Sequence, residues 1–314
     1  MSKEQKDSNN DYLNHERDVL KWLEDSYQSA ADECAQKIAE LNLRAGFEPE
    51  NIQTIIYQRQ YQEAIQSQIE ATLTNLRANT YQNIDEYLHQ CYNNGFIGTM
   101  YDLQAQGIPL IRPIDQRQVV QAIYNDSRIS QGLYTRLGED FDKLKNDIAF
   151  QVSRGIINGE SWTQTAEHIA NGMNSPFLIA RNNSMRIART EGHRVQVQST
   201  MDAARDAREA GADIVKQWDA TLDERTRESH RILDGEIREL DEPFSNGLMF
   251  PSDPHGDASE VINCRCALNR RAKWALDEGE LQTLRDRANF FGLDKSENFA
   301  DYQRRYLGAT ESEE

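Results

Sequence analysis

The chain is poor in cysteine, histidine and proline: its 314 residues hold four Cys, six His and seven Pro. The four thiols, Cys34, Cys91, Cys264 and Cys266, are too few and too scattered for a disulfide framework, so reduced cysteines are expected. No apolar run approaches the ~18 residues of a membrane span. The opening MSKEQKDSNNDYLNHE lacks the apolar core of a signal peptide, so neither a membrane partner nor export is expected. Positive charge is scarce as well. Lys and Arg number 35 against 52 Asp and Glu, a net charge of −17, which argues against a general affinity for duplex DNA and leaves only local contact. Also missing are H-E-x-x-H, G-x-S-x-G and Walker-type phosphate loops, and the expectation is that the chain is not an enzyme.

What the sequence does have is helical periodicity. From Leu13 the apolar positions Leu20, Leu23, Tyr27, Ala30, Cys34, Ile38 and Leu41 recur at steps of three, four and seven, the stripe of an amphipathic helix that Gly46 and Pro49 end. A second stripe follows Ile52, Ile56, Ile65, Ile69, Leu73, Leu76, Ile84, Leu88 and Cys91, with Asn93-Asn94-Gly95 as its expected stop. These two helices can pair antiparallel, and their apolar stripes call for a partner helix or a partner surface. Between Gly95 and Pro113 an irregular hinge or short extended stretch is expected. Further helices are predicted from Asp115 to Tyr124, from Gly138 to Ile157, after a Ser161 cap to Asn171-Gly172, and from about Leu178 to Ala210.

The texture then changes. Residues 213–220 read as a strand, Asp223 to Leu233 as a short helix capped by Asp223, Gly235 to Arg238 as a turn into an extended stretch, and Val261 to Leu268 as a final strand. The expected fold is mainly α with a small α+β C-terminal domain: long N-terminal amphipathic helices, then a compact domain with a few short strands. The predicted organisation is a helical hairpin over 1–95, a helical middle region over 96–177, the α+β domain over 178–272 and a charged extension over 273–314 ending in a disordered acidic tail.

Within the α+β stretch unusual residues fall in a fixed order: Trp218, Asp223, Arg225, Thr226, His230, Asp234-Gly235, Phe244, Phe250-Pro251, Pro254, His255, then Cys264-Arg265-Cys266. This order, together with the upstream Ala188-Arg189-Thr190-Glu191, resembles the Mu F-like domain of phage minor head proteins over roughly residues 180 to 270. The resemblance implies a head-morphogenesis protein that associates with the portal during procapsid assembly and influences DNA packaging or ejection. It places the protein in the capsid interior near the portal, and in the host cytoplasm during assembly. The portal protein is the implied partner, with scaffold or major capsid protein and viral DNA as further ones.

Read chemically, Cys264 and Cys266 on a strand would display two thiols on one face, a metal half-site that His230, with His255 or Asp253, could complete for zinc. The competing reading has the cysteines as small buried hydrophobes, with no cofactor, and His230 as a structural histidine oriented by Asp234 or Asp223. Trp218 reads as a core anchor, and Arg225, Arg227 and Arg265 as ion-paired with nearby acids. Two alternative functions stay open. The positive stretch 151–200 offers Arg181, Arg186, Arg189 and Arg194 for DNA binding, and Asp223, His230, Asp234 and Glu191 are the groups from which a zinc-containing hydrolase or toxin-like site would be built.

Overall fold

Scarce proline and apolar side chains at helical spacing translate directly into long helices. A computed structural model of the protein describes residues 2–45, 55–108, 110, 112–124, 133–158, 160, 162–171, 175–273 and 299–304. In chain order the elements are α1 (Lys3–Ala45), α2 (Ile55–Ala105), α3 (Gln116–Tyr124), α4 (Leu133–Asn158), α5 (Trp162–Ala170), α6 (Pro176–Glu209), β1 (Ile214–Asp219), α7 (Glu228–Arg231), β2 (Ile237–Glu239), α8 (Ala258–Val261) and β3 (Ala267–Ala272). The mainly helical class with a small α+β portion late in the chain is as expected. The charged extension lies outside the described residues, apart from residue 273 and the helical residues 299–304, as does the acidic tail.

The chain divides into two compact units, one of residues 1–17, 86–132 and 189–314, the other of 18–85 and 133–188. In the second unit the stripe residues Leu23, Tyr27, Cys34 and Ile38 of α1 and Ile65, Ile69 and Leu76 of α2 are buried, as are Phe141, Leu144 and Ile148 of α4. Tyr27 stacks on Phe141 at 6.1 Å between centroids and exchanges a 2.7 Å hydrogen bond with Ser184 of α6. These stripe residues are therefore buried within the chain itself, which is the partner-helix alternative of the two expected.

In the first unit, three strands form an antiparallel sheet of order β2-β1-β3, with Trp218 opposite Leu268 and Val215 opposite both Glu239 and Arg271. The second half of α6 covers it. Val197, Met201, Ala204 and Ala207 recur at helical spacing and are buried in the same clusters as Trp218, Ile214 and Leu268. The alanines on this face let the helix axis approach the strands.

Several boundaries differ from expectation, each for an identifiable reason. Asn93-Asn94-Gly95 does not stop α2. Asn94 is buried and donates to the Ser8 carbonyl and the Asp11 carboxylate of α1 at 3.1 and 2.9 Å, and Gly95 lies against Gln196 and Ser199 of α6. A Cβ at Gly95 would fall 2.0 Å from Ser199 Oγ and 2.2 Å from the Gln196 carbonyl oxygen, so the glycine serves helix contact rather than helix ending. The predicted hinge is consequently helical up to Ala105. Asp223 caps no helix, because the helix is only Glu228–Arg231 and starts after Arg227. The final strand begins at Ala267, and the cysteines lie before it, after a left-handed Asn263 with φ 55°.

Candidate metal centre and adjoining cleft

Three short segments bring the rare residues together. The Asp234-Gly235 turn is clamped to the end of β1: Asp234 Oδ1 accepts the Ala220 N–H at 2.9 Å, and Gly235, at φ 80°, donates to the Trp218 carbonyl at 2.9 Å. That clamp holds α7 over Trp218. Its His230 ring meets the Trp218 indole edge-on at 5.2 Å between centroids, and Phe244 packs on the indole's other contact at 5.2 Å. From the third segment, Cys264 and Cys266 turn inward while Arg265 turns out.

The two thiols and the imidazole converge. His230 Nδ1 lies 3.7 Å from Cys264 Sγ and 3.4 Å from Cys266 Sγ, and all three residues are buried. The ring's other nitrogen donates to Glu260 Oε2 at 2.7 Å, and Ser229 holds the same carboxylate at 3.0 and 3.2 Å. Burial opposes a charged His230, but the Cys264 sulfur and the Glu260 carboxylate outweigh it and raise the ring above its usual pKa. The hydrogen bond with Cys266 holds Cys264 below the usual thiol range, and the same contact, with burial, pushes Cys266 up.

Glu260 was not legible in the sequence, where Asp234 or Asp223 was expected to orient the histidine. Asp223 instead accepts both guanidinium nitrogens of Arg265 at 2.6 and 2.7 Å, the Thr226 hydroxyl at 3.0 Å and the Arg225 N–H at 3.0 Å. The Arg265 guanidinium holds that carboxyl well below its ordinary range. His255 and Asp253 do not join the cluster either: Asp253 accepts the backbone N–H groups of Met249 and His255, both at 2.8 Å, and builds the loop. Glu191 is buried against Arg194, Nε to Oε2 2.7 Å. Asp223, Asp234 and Glu191 thus each serve a partner away from His230.

The same contact removes Arg194 from the exposed cations expected to meet DNA, since its guanidinium is buried and also donates to the Ala122 carbonyl at 2.8 Å. Arg189 lies 3.8 Å from Glu16, and in the other unit Arg181 lies 3.4 Å from Glu24 while Arg186 donates to Asn183. Arg227 donates to the Ile262 carbonyl at 2.5 Å rather than to an acid.

Beside the triad opens a cleft of about 840 Å³ in the first unit, with Cys264, Arg225, Arg227 and Arg265 on one side and Arg189 and His193 on the other. Behind β1 sits a residue the sequence reading passed over. Lys216 is fully buried between Ile214 and Trp218 in the alternation, and its Nζ donates to the carbonyls of Leu240 and Met249 at 3.1 and 2.8 Å. The polar-apolar alternation of the strand was the available signal, since it places Lys216 on the face of Trp218.

Comparison with known proteins agrees with the motif. The family model described as Phage Mu protein F like protein matches residues 146–269, starting earlier than the motif alone suggested. The chain is 34% identical over 190 residues to Minor head protein GP7 of Bacillus phage SPP1, covering 60% of this chain and 58% of that protein. It is 31% identical over 188 residues to the NAD(+)–arginine ADP-ribosyltransferase EFV of Enterococcus faecalis (strain ATCC 700802 / V583), covering 59% of this chain and 38% of that protein. The chain thus spans less than two thirds of either relative. No solved structure matches it. The resemblance to Mu F-like head-morphogenesis proteins, read first from Trp218 through Cys266, is borne out by the family match and by the phage relative.

Proposed function

We propose that this chain, Mu F-like over residues 146–269, is a phage minor head protein that joins the head during assembly, associates with the portal and influences DNA packaging or ejection. The observation that carries the reading is the 34% identity over 190 residues to a protein named as a minor head protein. The likeness to an ADP-ribosyltransferase does not favour a catalytic reading. Matched stretches of 188 and 190 residues must overlap in a chain of 314, so a shared region occurs in two proteins with different named roles, and it covers only 38% of the transferase. A module common to both is best read as a scaffold, and the chain as a non-catalytic component of the virion.

Other head components, among them scaffold or major capsid protein, are the expected neighbours. No described helix is long and apolar enough to cross a membrane. DNA contact is a weaker reading now that Arg194 is buried, though Arg189 still borders the basic cleft. The test is co-expression of the full chain with the portal protein and procapsid components of its own phage. Recovery of the chain in purified procapsids together with portal supports the proposal, and procapsids that form with portal but without the chain sink it. A parallel incubation with NAD(+) and an arginine-bearing acceptor should transfer no ADP-ribose.

A further inference from the structure

We propose that His230, Cys264 and Cys266 bind one zinc ion, with Glu260 as the carboxylate that orients the histidine and a water molecule from the adjoining cleft as fourth ligand. Zinc at ~2.3 Å from sulfur and ~2.0–2.1 Å from imidazole nitrogen sets tetrahedral S···N edges of ~3.6 Å. The two edges present here are 3.4 and 3.7 Å, and the three ligand atoms all lie within 4.8 Å of one another. Nothing needs to move far for the ion to enter.

The donor orientation fits as closely as the spacing. Glu260 takes the Nε2 proton at 2.7 Å, which leaves Nδ1 of the neutral ring with its lone pair aimed at the sulfurs. A carboxylate behind a ligating imidazole is the arrangement that fixes tautomer and raises ligand basicity at metal sites. Two thiolates and a neutral imidazole also balance a divalent charge in a buried place, and soft sulfur donors select zinc over magnesium or calcium.

Among the described residues no further His, Cys, Asp or Glu joins the group. Cys264 lies on the wall of the cleft, the side from which a fourth ligand would reach the ion. The ion would tie α7 to the segment entering β3, closing the loop of residues 232–263, in which regular structure is limited to β2 and α8. That closure gives the site a structural purpose independent of any head partner.

The experiment uses the full chain, produced with zinc in the medium and purified under reducing conditions without chelator. Elemental analysis and native mass spectrometry are expected to find one zinc per chain, and exchange for cobalt to give a thiolate-to-cobalt charge-transfer band. Glu260→Gln should keep the circular dichroism spectrum and weaken zinc ~10–100-fold in chelator competition. Cys264→Ser is expected to lose the bound zinc, and should it fail to fold, the zinc stoichiometry of the wild-type chain decides. A folded wild-type chain that takes up neither metal when offered it overturns the proposal, and so does a Cys264–Cys266 disulfide in protein handled without oxidant. Unchanged zinc affinity in Glu260→Gln overturns the assigned role of that carboxylate.

Discussion

Trp218 joins two roles that the motif leaves undivided: it anchors the sheet's core and supplies the wall on which His230 rests, in T-shaped contact with both His230 and Phe244. Truncating a fully buried indole removes its transfer free energy and leaves a cavity, so Trp218→Ala is expected to cost ~3–5 kcal/mol in urea unfolding. A loss below about 1 kcal/mol, the range of ordinary surface substitutions, would falsify the anchoring role. Lys216 gives a test in pH. Burial, assisted by nearby Arg205, pushes its ammonium down from 10.5 to about 8. Between those values the unfolded chain binds more protons than the folded one, so this residue makes stability rise as pH climbs from about 8 toward 10. Denaturation midpoints across that window are expected to climb in the wild type, and to climb less in Lys216→Met. Identical slopes in the two proteins would show that the buried amine does not titrate as described.

Among the elements, α2 shows how packing overrides a local signal. Helix propensity alone rates Gly→Ala in a helix interior as a gain of about 1 kcal/mol. At Gly95 the added methyl meets backbone and side-chain oxygen of α6 at 2.2 and 2.0 Å, so Gly95→Ala is expected to destabilise by ~1–3 kcal/mol. Gly138 of α4 provides the contrast. There the nearest atoms are the ends of Tyr81 and Arg77 at 3.2 and 3.4 Å, and Gly138→Ala should be neutral or stabilising in thermal melts. The other junction is a buried pair. Asp102 of α2 accepts from Ser2, Gln5 and Gln106 at 2.7, 2.8 and 2.9 Å and lies 3.5 Å from Arg270 of β3. Asp102→Ala leaves the Arg270 charge buried without its counter-ion and is expected to cost ~3–5 kcal/mol, whereas Asp102→Leu with Arg270→Met should recover most of that. Additive losses in the double variant would count against a coupled pair.

For the whole molecule, the structure changes how the assembly reading is tested. Deleting residues 1–95 is the truncation the sequence invites, but it would cut inside α2 and remove α1 residues whose partners lie in the first unit. Such a truncation is expected to lose cooperative unfolding and become protease-sensitive, so its failure to bind portal would say nothing about docking. A truncated chain that melts cooperatively would show that residues 1–95 are dispensable for folding of the rest. The sequence by itself determined the helical stripes, the mainly α class and the Trp218-to-Cys266 order, because periodicity and rare residues are local properties that survive without a fold. It also placed Cys264, Cys266 and His230 as candidates. Only the tertiary structure decided that Glu260, absent from every motif, orients His230, that Arg194 is buried, and that Gly95 marks a crossing rather than an end. Each of these depends on contacts between residues far apart in the chain, such as 230 with 260 and 264, or 95 with 196 and 199, and no local pattern encodes which distant side chain will fill a given space.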